Sequence, residues 1–360
     1  MSSTLELQDR AVSRTAAKMV REPRLVERVV FVGGLPGCGK TMMTPIIGSL
    51  ARVELQKFNE VLEHICALRL LGRIEEDVAT TMIRMLTDLD LYRMTMSREI
   101  NTRCSDLTSI FKNPGTWRYL RRLVQPGDAE AVDRIRCEHP LLHLTMHNAL
   151  AISPPLFAAL GEAVRILEVM RHPLYMIKQW RLYIERYGQD VRDFTLWLDY
   201  AGSAVPFFAK GWETRYLEST PMDRAIYAIE HLLQMGQQIL AQLADPDKAQ
   251  VLLVPFERFV LEPWPYLRQM EGFLGTQVTM ATRRELKRQR VPRRRIADGI
   301  ARSIYQQYGW EPASKTSDER TELEKRRRFV AAEASSEALS VLDRLSADYE
   351  ATYWQELVTA

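Results

Sequence analysis

Cysteine is scarce in this chain. Four occur among 360 residues, Cys38, Cys66, Cys104 and Cys137, and none stands at the short spacing of a metal-binding pair. That number and spread exclude the disulfide framework of a small secreted domain and fit a reducing compartment. An excess of one charge is lacking too. Lys and Arg number 49 against 46 Asp and Glu, a balance of +3, too little for a global attraction to nucleic acid. No apolar run approaches the length of a membrane span. The N-terminal stretch carries Glu6, Asp9, Arg10 and Arg14 where a signal peptide needs an apolar segment, so the expected location is cytoplasmic. What remains is an ordinary globular composition in a chain long enough to bury a sizeable core.

Against that background one stretch stands out. Gly34-Leu35-Pro36-Gly37-Cys38-Gly39-Lys40-Thr41 matches the pattern G-x-x-x-x-G-K-[ST] without a mismatch. It follows an apolar run, Val29–Val32, and precedes a stretch that continues through Met42 and can be helical. Glycines let backbone N–H groups turn inward onto phosphate oxygens, and the helix that follows adds the positive end of its dipole. Lys40 adds a full charge, and Thr41 a hydroxyl for a metal or a phosphate. The pattern predicts a nucleotide-binding protein.

Apolar runs rich in Val, Ile and Leu recur at 28–33, 141–144, 164–169 and 251–254, as buried parallel strands do. Helical spacing is expected over 39–50, with a bend at Pro45, and over 54–72, 75–97, 129–138, 154–161, 173–187 and 222–243. A further helix opens at Pro263 and stops at Gly275. The alternation predicts an α/β fold of three layers with a central parallel sheet. It divides into a polar lead-in (1–27), a main domain (28–312) with a large helical insert (about 52–138), and a charged helical arm (313–360). The weak stripe of Phe329, Leu339, Leu342 and Leu345 on that arm suits packing or homo-oligomerisation.

Four segments then fall in a telling order: the glycine loop; Leu141–His147 (LLHLTMH); Val164–Trp180 (VRILEVMRHPLYMIKQW); and Val251–Gly275 (VLLVPFERFVLEPWPYLRQMEGFLG). Together they resemble the sulfotransferases that use 3′-phosphoadenosine 5′-phosphosulfate. The resemblance spans roughly 28–300, except for the insert. It implies a donor held by Gly34 to Met42, with its 3′-phosphate on Arg171, whose guanidinium fork suits a phosphate. Gln179 takes the place of a helping serine. A basic loop completes the clamp, for which Arg293, Arg294 and Arg295 in the stretch RRELKRQRVPRRR are candidates. His147 aligns with the histidine that serves as general base toward the acceptor hydroxyl. Thr145 stands where the family has a lysine. The family's loop lysine falls on Gly37, so Lys40 would neutralise the leaving phosphate from a different backbone position.

The insert holds Arg98, Asn101, Arg103 and Asp106 within ten positions, a polar cluster suited to a hydroxylated acceptor such as a carbohydrate, or to a capped helix junction. The tryptophans at 180, 197 and 212 suit sugar stacking or core. The expected activity is sulfuryl transfer to a hydroxyl of a carbohydrate or other small acceptor, with no resident metal. An ATP-dependent kinase using Mg²⁺ is the alternative, weakened because no Asp directly follows a strand, although Glu257 comes close. A nucleotide-binding interaction protein is the third reading.

Overall fold

The computed structural model describes residues 17–191, 193–300 and 318–354. The first sixteen residues of the lead-in, and the expected boundary between main domain and arm at 312/313, lie outside the described residues. Five parallel strands form the central sheet: β1 (Val29–Gly33), β2 (Lys57–Phe58), β3 (Leu142–Thr145), β4 (Val164–Met170) and β7 (Val251–Pro255), in the order β2-β3-β1-β4-β7. Between β4 and β7 a small hairpin pairs β5 (Trp197–Tyr200) with β6 (Ser203–Pro206).

Period-two alternation along β1 splits its side chains between two cores. Val30 and Val32 point into one cluster with Met43, Ile46 and Leu232. Val29 and Phe31 point into the other with Leu62, Ile83 and Leu156. The first face is covered by α1 (Lys40–Ile47). The second is covered by helices of the insert, α2 (Glu60–Leu70) and α3 (Glu76–Thr95). The insert continues with α4 (Thr116–Arg122) and α5 (Asp128–Glu138), and α6 (Pro154–Leu160) follows β3 against α3. Two long helices, α7 (Pro173–Arg186) and α9 (Pro221–Gln242), pack together on the α1 side, with the short α8 (Glu213–Glu218) between them in sequence. The expected three-layer α/β architecture is what forms.

Differences from the expected elements have local causes. The helix expected over 54–72 starts only at Glu60, because the Asn59 side chain accepts the Leu62 N–H at 3.2 Å and caps it there. The residues before it are freed to add β2 to the sheet edge. The first helix stops at Ile47 rather than 50, where the Gly48 N–H closes onto the Thr44 carbonyl and the Ser49 N–H onto that of Ile46. The hairpin turns on Ala201 and Gly202, both left-handed (φ 50° and 80°). Ala-Gly is a weak sequence signal for such a turn, which is why no hairpin was expected.

The expected arm is two helices, Glu319–Ala331 and Ser336–Tyr353. Most of its apolar stripe packs within the chain, the first of the two uses expected for it. Val330, Ala338 and Leu342 are fully buried in the α7–α9 core, and Leu345 joins them. Phe329 stays at the surface under the Lys178 ammonium. Among the described residues no helix is long and apolar enough to cross a membrane.

Candidate functional site

The loop from Gly34 to Gly39 leaves the sheet at the carboxyl end of β1 and enters α1 at Lys40. Gly34, Gly37 and Gly39 all adopt positive φ (127°, 86° and 107°), which any other L residue resists. The space around them is equally demanding. A Cβ on Gly39 would lie 2.3 Å from the Phe256 ring, and one on Gly34 would lie 2.5 Å from the Val169 carbonyl. Lys40 is buried, 8% exposed, and curls back so that its ammonium donates to the Gly34 carbonyl and, at 3.2 Å, to that of Leu35. Leu35, Cys38 and Met42 are buried in the core beneath the loop; Pro36 faces the cleft described below, and Thr41 is half-buried at the second position of α1. The buried ammonium thus bonds peptide carbonyls and the Cys38 thiol with the Glu168 carboxyl nearby, and the helix N-terminus adds positive potential at the same place.

Arg171, just past β4, reaches the loop: its Nη1 donates to the Gly37 carbonyl at 2.6 Å. Gln179, two turns into α7, stands on the other side of the same glycine, where a Cβ on Gly37 would meet its Oε1 at 3.0 Å. Arg171 lies 4.5 Å from the centre of the Phe256 ring and Arg293 lies 5.6 Å from it. That ring, whose edge abuts Gly39, therefore gathers loop, Arg171 and Arg293 into one place. The other two candidates from the basic stretch stand apart. Arg295 bonds Asp298 at 2.8 Å and Arg294 is exposed.

Two buried carboxylates, Glu257 and Glu168, organise this region. Glu257 is buried 3.8 Å from the Arg171 Nε, beyond hydrogen-bond reach, so that buried Nε has no hydrogen-bond partner. Glu257 accepts the His172 N–H and the Tyr349 hydroxyl. The C-terminal helix also brings Glu350 to the His172 Nε2 at 3.0 Å. It thus braces the Arg171–Pro173 turn from behind. Glu168, one residue before the end of the apolar run in β4, is buried against Gly33, where an added Cβ would strike its Oε2. Burial pushes its carboxyl up to about 7, although nearby Lys40 and the Leu150 N–H pull the other way. An acid inside a Val/Ile/Leu run was the one available signal for it.

His147 follows β3 at the mouth of a cleft of about 600 Å³ beside Pro36 of the loop. Glu63 of α2 accepts the His147 backbone N–H and lies 3.4 Å from its Nδ1, while the Phe58 ring packs edge-on at 4.8 Å. This arrangement directs Nε2 away from Glu63 and suits it to take a proton. The neighbouring His143 is different. It is fully buried between sheet and α1, and burial holds it neutral by lowering its pKa to about 4. The cleft walls are aromatic, with Phe58, Tyr183, Tyr187, Phe194 and Phe207 among them. Trp180 is buried and only borders the cleft; Trp197 and Trp212 are half-buried elsewhere.

The polar cluster of the insert is not part of this cleft. Asn101 donates to Asp106 and Thr108, Arg103 bonds Ser105 and pairs with Asp106, and Arg98 lies over Tyr92. Asn101, Arg103 and Asp106 thus bond one another and their neighbours across a turn, and Arg98 lies outside it.

Fold and site together define an α/β protein with a glycine-rich loop around a buried lysine at the carboxyl edge of its parallel sheet, flanked by a histidine-bearing cleft. No family model matches the chain, and no curated protein does. Among solved structures the chain is similar to the sulfotransferase domain of the curacin biosynthetic pathway (12% identity, TM-score 0.45, over 90% of this chain and 99% of that one). It is also similar to the sulfotransferase domain of the Synechococcus PCC 7002 olefin synthase (12%, 0.40, over 92% and 98%) and to sulfotransferase STF9 from Mycobacterium avium (14%, 0.42, over 92% and 78%). At those identities and scores the likeness decides neither the reaction nor the residues that perform it.

Proposed function

We propose that the chain is a sulfotransferase that takes the sulfuryl group of 3′-phosphoadenosine 5′-phosphosulfate to a hydroxyl of a small acceptor. The observation that carries this reading is the convergence of Arg171 and Arg293 on the Phe256 ring beside the loop, because it provides for a second phosphate apart from the one the loop would take. The residues fit the donor in other respects: a glycine cradle that a Cβ would fill, a buried Lys40 ammonium held by carbonyls, and an Arg171 Nε with no hydrogen bond. The donor supplies an electrophilic sulfuryl group on a phosphate that can leave. Loop N–H groups and Lys40 hold the 5′ end and counter the charge that grows on the departing phosphate. Arg171 and Arg293, with Gln179 near Gly37, hold the 3′-phosphate. His147, oriented by Glu63, takes the acceptor's proton at Nε2. The aromatic cleft keeps water from competing with the acceptor.

A second reading, Mg²⁺-ATP phosphotransfer, is favoured by one observation. Glu168, inside β4 and beside Lys40, is a buried acid close to the loop, as such enzymes require near the nucleotide. Calorimetry separates the two. Micromolar binding of 3′-phosphoadenosine 5′-phosphate without metal supports sulfuryl transfer, and binding of ATP alone, dependent on Mg²⁺, overturns it. In the first case Arg171→Ala is expected to weaken the 3′-phosphorylated nucleotide by about 1.5–3 kcal/mol, the range of a charge-assisted bond. Unchanged affinity would remove Arg171 from the site. His147→Ala is expected to slow turnover by about 10²–10⁴-fold with nucleotide affinity kept; normal turnover would rule out its role as the base.

A further inference from the structure

The C-terminal arm reaches the arginines beside the loop at a second place, through Glu319. This residue opens the first helix of the arm, where the helix N-terminus favours a carboxylate. Its two oxygens are bound to different segments. Oε2 accepts the Tyr175 hydroxyl at 2.7 Å, and Oε1 accepts the Ile296 backbone N–H at 2.8 Å. Each of those segments supports one arginine. The Tyr175 ring lies 5.3 Å from the Arg171 guanidinium, which the Phe256 ring also flanks at 4.5 Å. The Ile296 carbonyl accepts the Arg293 Nη1 at 2.8 Å. Ile296 is itself buried, in a cluster with Tyr349 and Trp354 against which Tyr175 packs. Burial raises the Tyr175 pKa, so its hydroxyl keeps the proton it donates. Two guanidinium groups beside one ring repel each other, and a loose arginine loses rotamer freedom when it binds. A carboxylate that fixes the supports of both lowers the two costs before any anion enters.

We propose that Glu319 is a positioning residue for the 3′-phosphate of the nucleotide: by tying Tyr175 to Ile296 it sets Arg171 and Arg293 at the spacing that receives this group. The assignment rests on the reading above, in which those two arginines hold the 3′-phosphate. Glu319 acts through its two neighbours and touches no nucleotide itself. The arm is then a working part of the donor site, joined to a tyrosine 144 positions before it.

The test is calorimetry on the full chain with 3′-phosphoadenosine 5′-phosphate and adenosine 5′-phosphate, which differ only in the 3′-phosphate. Wild type is expected to hold the first at least about thirtyfold more tightly. Glu319→Ala is expected to cut that preference by at least about tenfold, through the bisphosphate alone. Its affinity for the monophosphate should stay within about twofold of wild type, which reports an intact fold. Tyr175→Phe removes one of the two bonds and keeps the ring beside Arg171. It is expected to cut the preference by at least about threefold, and it decides the matter if Glu319→Ala does not fold. A preference that survives either variant overturns the proposal. Equal weakening of both nucleotides in Glu319→Ala overturns it too, since that is the mark of a merely structural residue. Those results leave the 3′-phosphate reading standing, whereas equal binding of the two nucleotides by wild type removes that reading and this proposal together.

Discussion

Lys40→Ala is expected to lower turnover by about 10²–10³-fold, the loss found when one preorganised donor to a developing oxyanion is removed. The ammonium also bonds the Gly34 and Leu35 carbonyls and the Cys38 thiol in a buried setting, so some loss of stability is expected beside the loss of turnover, and nucleotide affinity and melting should be read together. Lys40→Arg should rescue poorly. The guanidinium is larger, and the loop is closed around it by Phe256 at Gly39 and by Val169 at Gly34. One side effect separates this variant from a merely misfolded one. Lys40 is the charge that opposes the burial-driven rise of Glu168, so its removal should raise that carboxyl further above about 7 and leave Glu168 protonated at neutral pH. A carbonyl-stretch band near that of a protonated carboxylic acid, present in Lys40→Ala and absent in Lys40→Ala with Glu168→Gln, would show it. Wild-type turnover in Lys40→Ala would take the loop out of the chemistry.

The larger effect on stability is expected from Arg122→Ala, about 3–5 kcal/mol, the usual result of stripping one partner from a buried ion pair. Glu54 is fully buried where the insert meets the sheet edge. The Arg122 guanidinium grips it at 2.8 and 3.1 Å, and the Tyr119 hydroxyl donates to it at 2.7 Å. Without Arg122 the carboxylate keeps its desolvation cost and loses its main partner. The double variant Glu54→Leu, Arg122→Leu removes both charges and should cost less than Arg122→Ala alone, an ordering that urea melts can read directly. The pair also fixes a pH dependence. Burial alone would raise the Glu54 carboxyl, but Arg118 and Arg122 overcome burial and hold it below the usual range. A depressed carboxyl contributes stability above its unfolded value, about 4.3, and that contribution is lost as pH falls through the lower folded value. Wild type and Arg122→Ala should therefore differ most at neutral pH and converge in acid. A constant gap down to the acid limit would show that the pair is not the source.

The glycine loop, β1, β3, β4 and β7 were legible because each is a local pattern: glycines at fixed spacing, or a short apolar run bounded by turns. Arg171 was legible because its place follows from the end of β4. What was hidden depends on contacts between distant segments. Nothing in the sequence near Glu63 says that it will meet His147, 84 positions away. Phe256 reads as one more core aromatic until its ring is found against Gly39. Glu168 sits inside the β4 run, and what gives it weight, its approach to Gly33 and Lys40, is again a contact between distant segments. The insert admits two readings for a chemical reason: Asn, Ser, Asp and Arg are the residues that bind sugars and also the residues that close turns, and at 101–106 they bond one another across a turn.

The hold of Tyr349 and Glu350 on the turn after β4 works in both directions. Whatever settles Arg171 onto an anion must also steady a helix some 180 positions downstream, since coupling between two equilibria is reciprocal. A protease nick within 336–353 would then occur more slowly as the nucleotide concentration rises, and the rate of clipping would become a gauge of how full the pocket is.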